Sequence, residues 1–121
     1  MKTYKDIYKF PLRLDKYSSW VYDDADNFVF QFEEENETAQ KLILNVLNGN
    51  QTLTNKDLVF KHEQGQIIVD ENGIIKPIIL IRGWGNLTGI GGHNLPSEEA
   101  ANIQDTFAEF IVEQLNKRTV L

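Results

Sequence analysis

Residues 83 to 95 run Gly-Trp-Gly-Asn-Leu-Thr-Gly-Ile-Gly-Gly-His-Asn-Leu and hold five of the chain's eight glycines. Arg82 precedes the run, Trp84 opens it and His93 lies near its end. A tryptophan offers a stacking face, an arginine a fork of donors and a histidine a titratable ring. That set suits a nucleobase, a carboxylate or another small anionic or aromatic ligand. A glycine loop between a strand and a helix also presents backbone N–H groups to an anion, which adds Gly89, Gly91 and Gly92 to the candidate binding residues. The pattern matches neither a dinucleotide-binding fingerprint nor a phosphate loop. Position 94 is Asn where a third glycine would fall, and no Gly-Lys-Ser/Thr occurs. Glu98 and Glu99 follow at the start of the next helix and oppose a phosphate. The competing reading is structural: a tight surface loop folded over Trp84, with Trp84 plugging the edge of the core and Arg82 paired to an acid.

Gln104 joins the candidates by its place on a helical wheel. At 100° per residue it falls among Phe107, Ile111 and Leu115, where an amide without a partner costs roughly 1–3 kcal/mol. The simplest partner is the backbone of the glycine loop, making Gln104 a clamp; contact with a ligand or a second subunit is the alternative. Other chemistry finds little support. The two histidines, His62 and His93, lie far apart in sequence and make no metal-ligand spacing. Asp23, Asp24, Asp26 and Asn27 resemble part of a calcium loop, but Phe28 takes a ligand position and no glutamate closes it, so a hairpin turn is the better reading. There is no cysteine, hence no thiol nucleophile and no disulfide. No serine sits in a nucleophile elbow, and Glu98 and Glu99 are adjacent and face apart. No catalytic residue, metal or cofactor is assigned. An enzyme, a small hydrolase or transferase using His93, ranks last.

The elements that must position these residues follow from periodicity. Tyr8, Phe10, Leu12 and Leu14 alternate with polar residues, predicting a strand over 8–15, at an edge because Pro11 lacks a donor. Trp20–Tyr22 and Phe28–Phe32 flank the Asp/Asn cluster as a hairpin. Ala39, Leu42, Ile43, Val46 and Leu47 mark an amphipathic helix with Asn36 or Thr38 as cap and Asn48-Gly49 as stop. Leu58–Phe60, Gln66–Asp70 and Ile74–Ile81 read as three strands, the last two joined by the Asn72-Gly73 turn. Ile78–Ile81 is apolar on both faces, hence central. A final helix is capped by Ser97, buries Ala100, Ile103, Phe107, Phe110, Ile111 and Leu115, and finishes on Lys117-Arg118. No internal repeat or linker is visible. The expectation is one α+β domain over residues 1–121, a mainly antiparallel sheet of about five to six strands with two helices packed against it.

With 121 residues, 41% hydrophobic and 25% charged, the chain can bury a core unaided, and disorder and fibrous repeats are excluded. No apolar run approaches the roughly 20 residues of a membrane span, and the basic N-terminus lacks the apolar stretch of a secretory signal. The net charge of −6 is uneven: residues 1–16 carry five basic side chains against Asp6 and Asp15, and the rest is strongly acidic. Such a surface repels phosphate backbones, so neither duplex nucleic acid nor a membrane is an expected partner.

Ile81-Arg82-Gly83-Trp84-Gly85, Leu87-Thr88-Gly89, Leu95, Glu99-Ala100-Ala101 and Ile103-Gln104-Asp105 together resemble the C-terminal segment of small proteins encoded by gut-bacterial phages and their hosts. The likeness covers the last third of the chain and, less clearly, the Trp-Val-Tyr-Asp hairpin, and it brings no function with it. It implies a cytoplasmic setting in a bacterial host. The reading that results is a non-enzymatic interaction module, homodimeric or bound to another protein, using loop 83–95 and the start of the last helix. Exposed sheet edges and abundant phenylalanine support self-association. The alternative is a protein that binds or sequesters a nucleotide-like small molecule.

Overall fold

A computed structural model describes residues 1–118. It is an α+β fold with one six-stranded antiparallel sheet in the order β1-β2-β3-β6-β5-β4. The strands are β1 (Arg13–Leu14), β2 (Trp20–Tyr22), β3 (Phe28–Phe32), β4 (Leu58–Glu63), β5 (Gln66–Glu71) and β6 (Ile74–Ile81). The helices are α1 (Tyr4–Ile7), α2 (Glu37–Leu47), α3 (Trp84–Thr88) and α4 (Ser97–Asn116). No helix among the described residues is long and apolar enough to cross a membrane.

The central pair is β3 and β6, in the register Phe30↔Ile81 and Phe32↔Ile79. Phe30, Phe32, Ile67, Ile79 and Phe60 form one cluster with Ile43, Val46 and Leu47 of α2 and Ile103, Phe107, Ile111 and Leu115 of α4. Asn36 caps α2 by accepting from the Ala39 amide at 3.0 Å, and Gly49 stops it at φ +80. Asn72 and Gly73 both take positive φ between β5 and β6, as a two-residue hairpin turn of this chemistry requires. By strand alternation Trp20, Gln31, Leu80 and Arg82 share the opposite face. That face meets solvent, with Trp20 43% and Ile75 62% exposed.

Four local expectations give way. Residues 8–12 are not a strand, because side chains take the place of a neighbouring strand. Asp23 accepts from the Lys9 amide, and Asn48 both accepts from Leu12 N and donates to Leu12 O at 2.7 and 2.9 Å. Tyr8 and Leu12 are buried as the alternation requires, but Phe10 is half-exposed and leans edge-on against Phe110. Ahead of them, α1 lies on α4 through Tyr4 against Phe107 and Phe110. The glycine segment contains a helical turn, α3. The cap of α4 is Pro96, whose carbonyl accepts from the Ala100 amide at 3.0 Å, and Ser97 is already helical. Lys117 and Arg118 lie beyond the end of α4.

The topology also repeats where the sequence does not. Each half of the chain is a three-stranded antiparallel meander followed by a helix, and the halves meet at β3 and β6. In each half an asparagine at the end of the long helix clamps the outer strand region. Asn48 holds Leu12, and Asn116 holds Phe60 by accepting from its N and donating to its O at 2.8 and 2.9 Å. Arg118 adds hydrogen bonds to Leu58 O and Asn55 O. Side chains thereby take up the edge backbone at Leu58 O and Phe60 of β4 and at Leu12 just ahead of β1. Asn116→Ala is expected to lower stability by about 1–2 kcal/mol, the worth of two lost hydrogen bonds, and to increase association with protein concentration. Urea unfolding and sedimentation measure both; an unchanged midpoint with an unchanged mass would show that the clamp does not protect the edge.

Candidate functional site

The turn between β2 and β3 carries a carboxylate sealed from solvent. Asp23 is 0% exposed, and both its oxygens are saturated by N–H donors. One accepts from Ala25 N and Asn27 N at 3.0 and 2.7 Å, the other from Lys9 N and Asn27 Nδ2 at 2.7 and 2.9 Å. Four donors fill the lone-pair sites of an ionised carboxylate, so no buried cation is needed. Asp26, at φ +63, gives the turn the curl that brings these amides together.

Asn27 passes the order on. Its amide nitrogen is committed to Asp23, so its oxygen is the acceptor for Asn86 Nδ2 at 2.9 Å and His93 Nε2 at 2.8 Å. His93 must therefore carry a proton on Nε2. Its backbone N–H donates to Asn86 O at 2.9 Å, closing the loop on α3. One buried carboxylate thus joins the N-terminal segment, the β2–β3 turn, α3 and the glycine loop.

The glycines divide by need. Gly83 has φ +97, and a Cβ there would overlap the Phe28 carbonyl. A Cβ on Gly92 would overlap Asn86 O, and one on Gly89 would run into Gly85 O, whereas Gly85 and Gly91 have open space. Of the glycine amides expected to cradle an anion, those of Gly89 and Gly92 are spent inside the loop. Gly89 donates to Gly85 O, Gly92 and Asn94 to Gly89 O, and Leu95 to Leu87 O. An anion cradle built from these loop amides does not form.

What the hub positions is a cavity of about 520 Å³ lined by Phe28, Ile81, Arg82, Trp84, Asn86 and Gln104, among others. Arg82 is fixed at its backbone on both sides: its N–H donates to Val29 O at 3.1 Å, and its carbonyl accepts from Gln104 Nε2 at 3.1 Å. Gln104 is therefore the clamp on the loop's entry, at a half-exposed position rather than inside the core. Trp84 does not plug the core; it is 43% exposed. Nor does Arg82 pair with an acid among the described residues: its polar side-chain contact is Gln31 Oε1, at 3.4 Å. Of the candidate residues, Arg82, Trp84 and Gln104 line the cavity. Gly89, Gly91, Gly92 and His93 lie outside it, in the loop that buttresses it.

The sequence reading passed over Phe28 and Trp20. Phe28 forms one wall of the cavity and stacks on Trp20 with centroids 4.6 Å apart, and Tyr22 packs beside it at 5.5 Å. An aromatic band therefore runs from Trp84 across Phe28 to Trp20. The detectable signal was the period-two placement of Trp20 and Tyr22, which puts them on one face. A second groove, about 420 Å³, lies beside Tyr4, Phe10, Leu47 and Phe110; its rings are already packed on one another. Among the described residues no three His, Cys, Asp or Glu side chains gather as a metal site. The chain matches no family model, no curated protein and no solved structure.

Tyr8 completes the interior of the site. Its hydroxyl is buried without a hydrogen-bond partner, and burial first, then the negative charge of Asp23, pushes its pKa far above the usual 10.0. The unfolded chain ionises this phenol near pH 10 while the folded protein keeps it neutral. Its effect on stability is therefore absent below pH 10, and the fold loses up to about 1.4 kcal/mol per pH unit above that. Tyr8→Phe is expected to raise stability at neutral pH by up to about 1 kcal/mol and to flatten the alkaline decline. Urea midpoints from pH 7 to 11 test this; a variant less stable at pH 7 with the same alkaline slope would contradict it.

Proposed function

We propose that the protein is a non-enzymatic binding module whose recognition surface is the aromatic band from Trp84 through Phe28 to Trp20, with the Trp84 cavity at its centre. One observation carries this reading. A half-exposed tryptophan, Trp84, and an arginine with no acidic partner among the described residues line a cavity at the end of β6, and its Phe28 wall stacks on a second half-exposed tryptophan, Trp20. Tryptophan, tyrosine and arginine are the residues that dominate binding energy at protein interfaces. Side chains take up part of each sheet edge, which disfavours strand addition, so a second copy of the chain, if it is the partner, meets the first through this face. The arrangement brings His93 to no nucleophile, and its Nε2 is committed to Asn27. The bacterial cytoplasmic setting implied by the resemblance belongs to this proposal. A second reading rests on the cavity's volume, which lies within the range of small-ligand sites: a planar anion held by Arg82 against Trp84. A ligand mass retained in native mass spectrometry distinguishes it.

Random linear peptides displayed in a library and selected on the wild-type protein test the main reading. Trp84→Ala is expected to weaken the selected peptides by about thirtyfold, the scale of a hot-spot residue, with circular dichroism and thermal midpoint unchanged. Trp20→Ala should weaken them less. Peptides that bind Trp84→Ala as tightly as wild type would refute the assignment of this surface.

A further inference from the structure

We infer that the partner of this surface is an acidic segment of another protein, with a carboxylate on Arg82 and an apolar or aromatic side chain in the cavity between Trp84 and Phe28. This rests on the binding reading above and goes beyond it by assigning the chemistry of the partner.

Charge makes the first argument. Acidic residues outnumber basic ones eighteen to twelve in the chain, yet among the described residues no carboxylate lines this cavity, and Arg82 is the one charged residue that does. The chain's other arginines are engaged. Arg13 pairs with Asp26 and lies over Tyr22, and Arg118 donates to backbone carbonyls near β4. Arg82 keeps the outer fork of its guanidinium, the part that grips a carboxylate with two parallel hydrogen bonds.

Rigidity makes the second. The backbone of Arg82 is held by Val29 on one side and Gln104 on the other, and α3 is held by Asn27 through Asn86. Little order is left to impose when a partner arrives, which favours binding.

Extent separates a peptide from a metabolite. The band continues beyond the cavity over Phe28 to Trp20 and Tyr22, more surface than a small ligand in the cavity would cover. A nucleic acid is a poorer fit, since it brings a charge at every phosphate to a chain of −6 with one available arginine here, whereas a peptide can set a single carboxylate on Arg82.

Three proteins decide the matter: wild type, Arg82→Gln and Trp84→Ala, each challenged with the peptides selected on wild type. Each peptide is also made with its Asp and Glu replaced by Asn and Gln. The selected peptides should be rich in Asp and Glu beside an aromatic or aliphatic residue, and bind more weakly as salt rises. Arg82→Gln should weaken the acidic peptides about tenfold and their amide versions little. Neutral or basic selected peptides would overturn the inference while leaving the binding surface standing, provided Trp84→Ala still weakens binding about thirtyfold. Equal losses for acidic and amide peptides on Arg82→Gln would overturn it too, since Arg82 would then act by packing. Undiminished binding to Trp84→Ala would remove the surface and the inference together.

Discussion

The buried Asp23 carboxylate is the constraint on which the geometry of the surface depends. A carboxylate without solvent is tolerable only when its lone pairs are filled, and here four N–H groups fill them. The same requirement dictates where the chain must go. Lys9 has to come back to the turn, Asp26 has to adopt the left-handed conformation, and Asn27 has to point its nitrogen inward. Once it does, its oxygen faces the other way and holds Asn86 and His93. The glycines at 83 and 92 let the backbone approach this closely, since a side chain at either would strike a carbonyl. The cavity wall is thus fixed from behind, by Asp23 and Asn27, which do not line it.

The two-part topology explains why a surface on the open face is available at all. Both long helices pack on the same side of the sheet, and each ends in an asparagine that fastens the outer strand region of its own half. A side-chain amide presents a donor and an acceptor much as a neighbouring strand would, so it closes an edge without extending the sheet. With one face covered by the helices and part of each edge taken up by side chains, the far face stays open, and Trp20 lies on it.

Much of the fold was legible because the relevant signals are local. Period-two runs located β2 to β6, the apolar stripe located α2, and Asn72-Gly73 announced its hairpin through the positive φ both residues take. The misses share one cause, which is long-range satisfaction of polar groups. Nothing near Leu12 in sequence shows that Asn48 will occupy its backbone, so the alternation over 8–15 looked like a full strand. Asp23 looked like an ordinary turn residue, since its burial depends on Lys9 arriving from elsewhere. Arg82, Trp84 and Gln104 could be named from type and spacing. The loop's role as a buttress could not, because it rests on which carbonyls its amides find. Period two puts Phe28 on the face of Phe30 and Phe32, and the register shift between Val21 and Tyr22 turns it outward to stack on Trp20.

If one buried hub holds the binding wall in place, the loop and the turn must open only when the core opens. Native-state hydrogen exchange on the amides of Lys9, Asn27, His93 and Leu95, compared with those of Phe30 and Ile79, measures this directly. The account predicts that the hub amides share the opening free energy of the β3 and β6 amides and fall with them when urea is added. Exchange of His93 and Leu95 at the rate of a free loop, with Phe30 and Ile79 still protected, would contradict it.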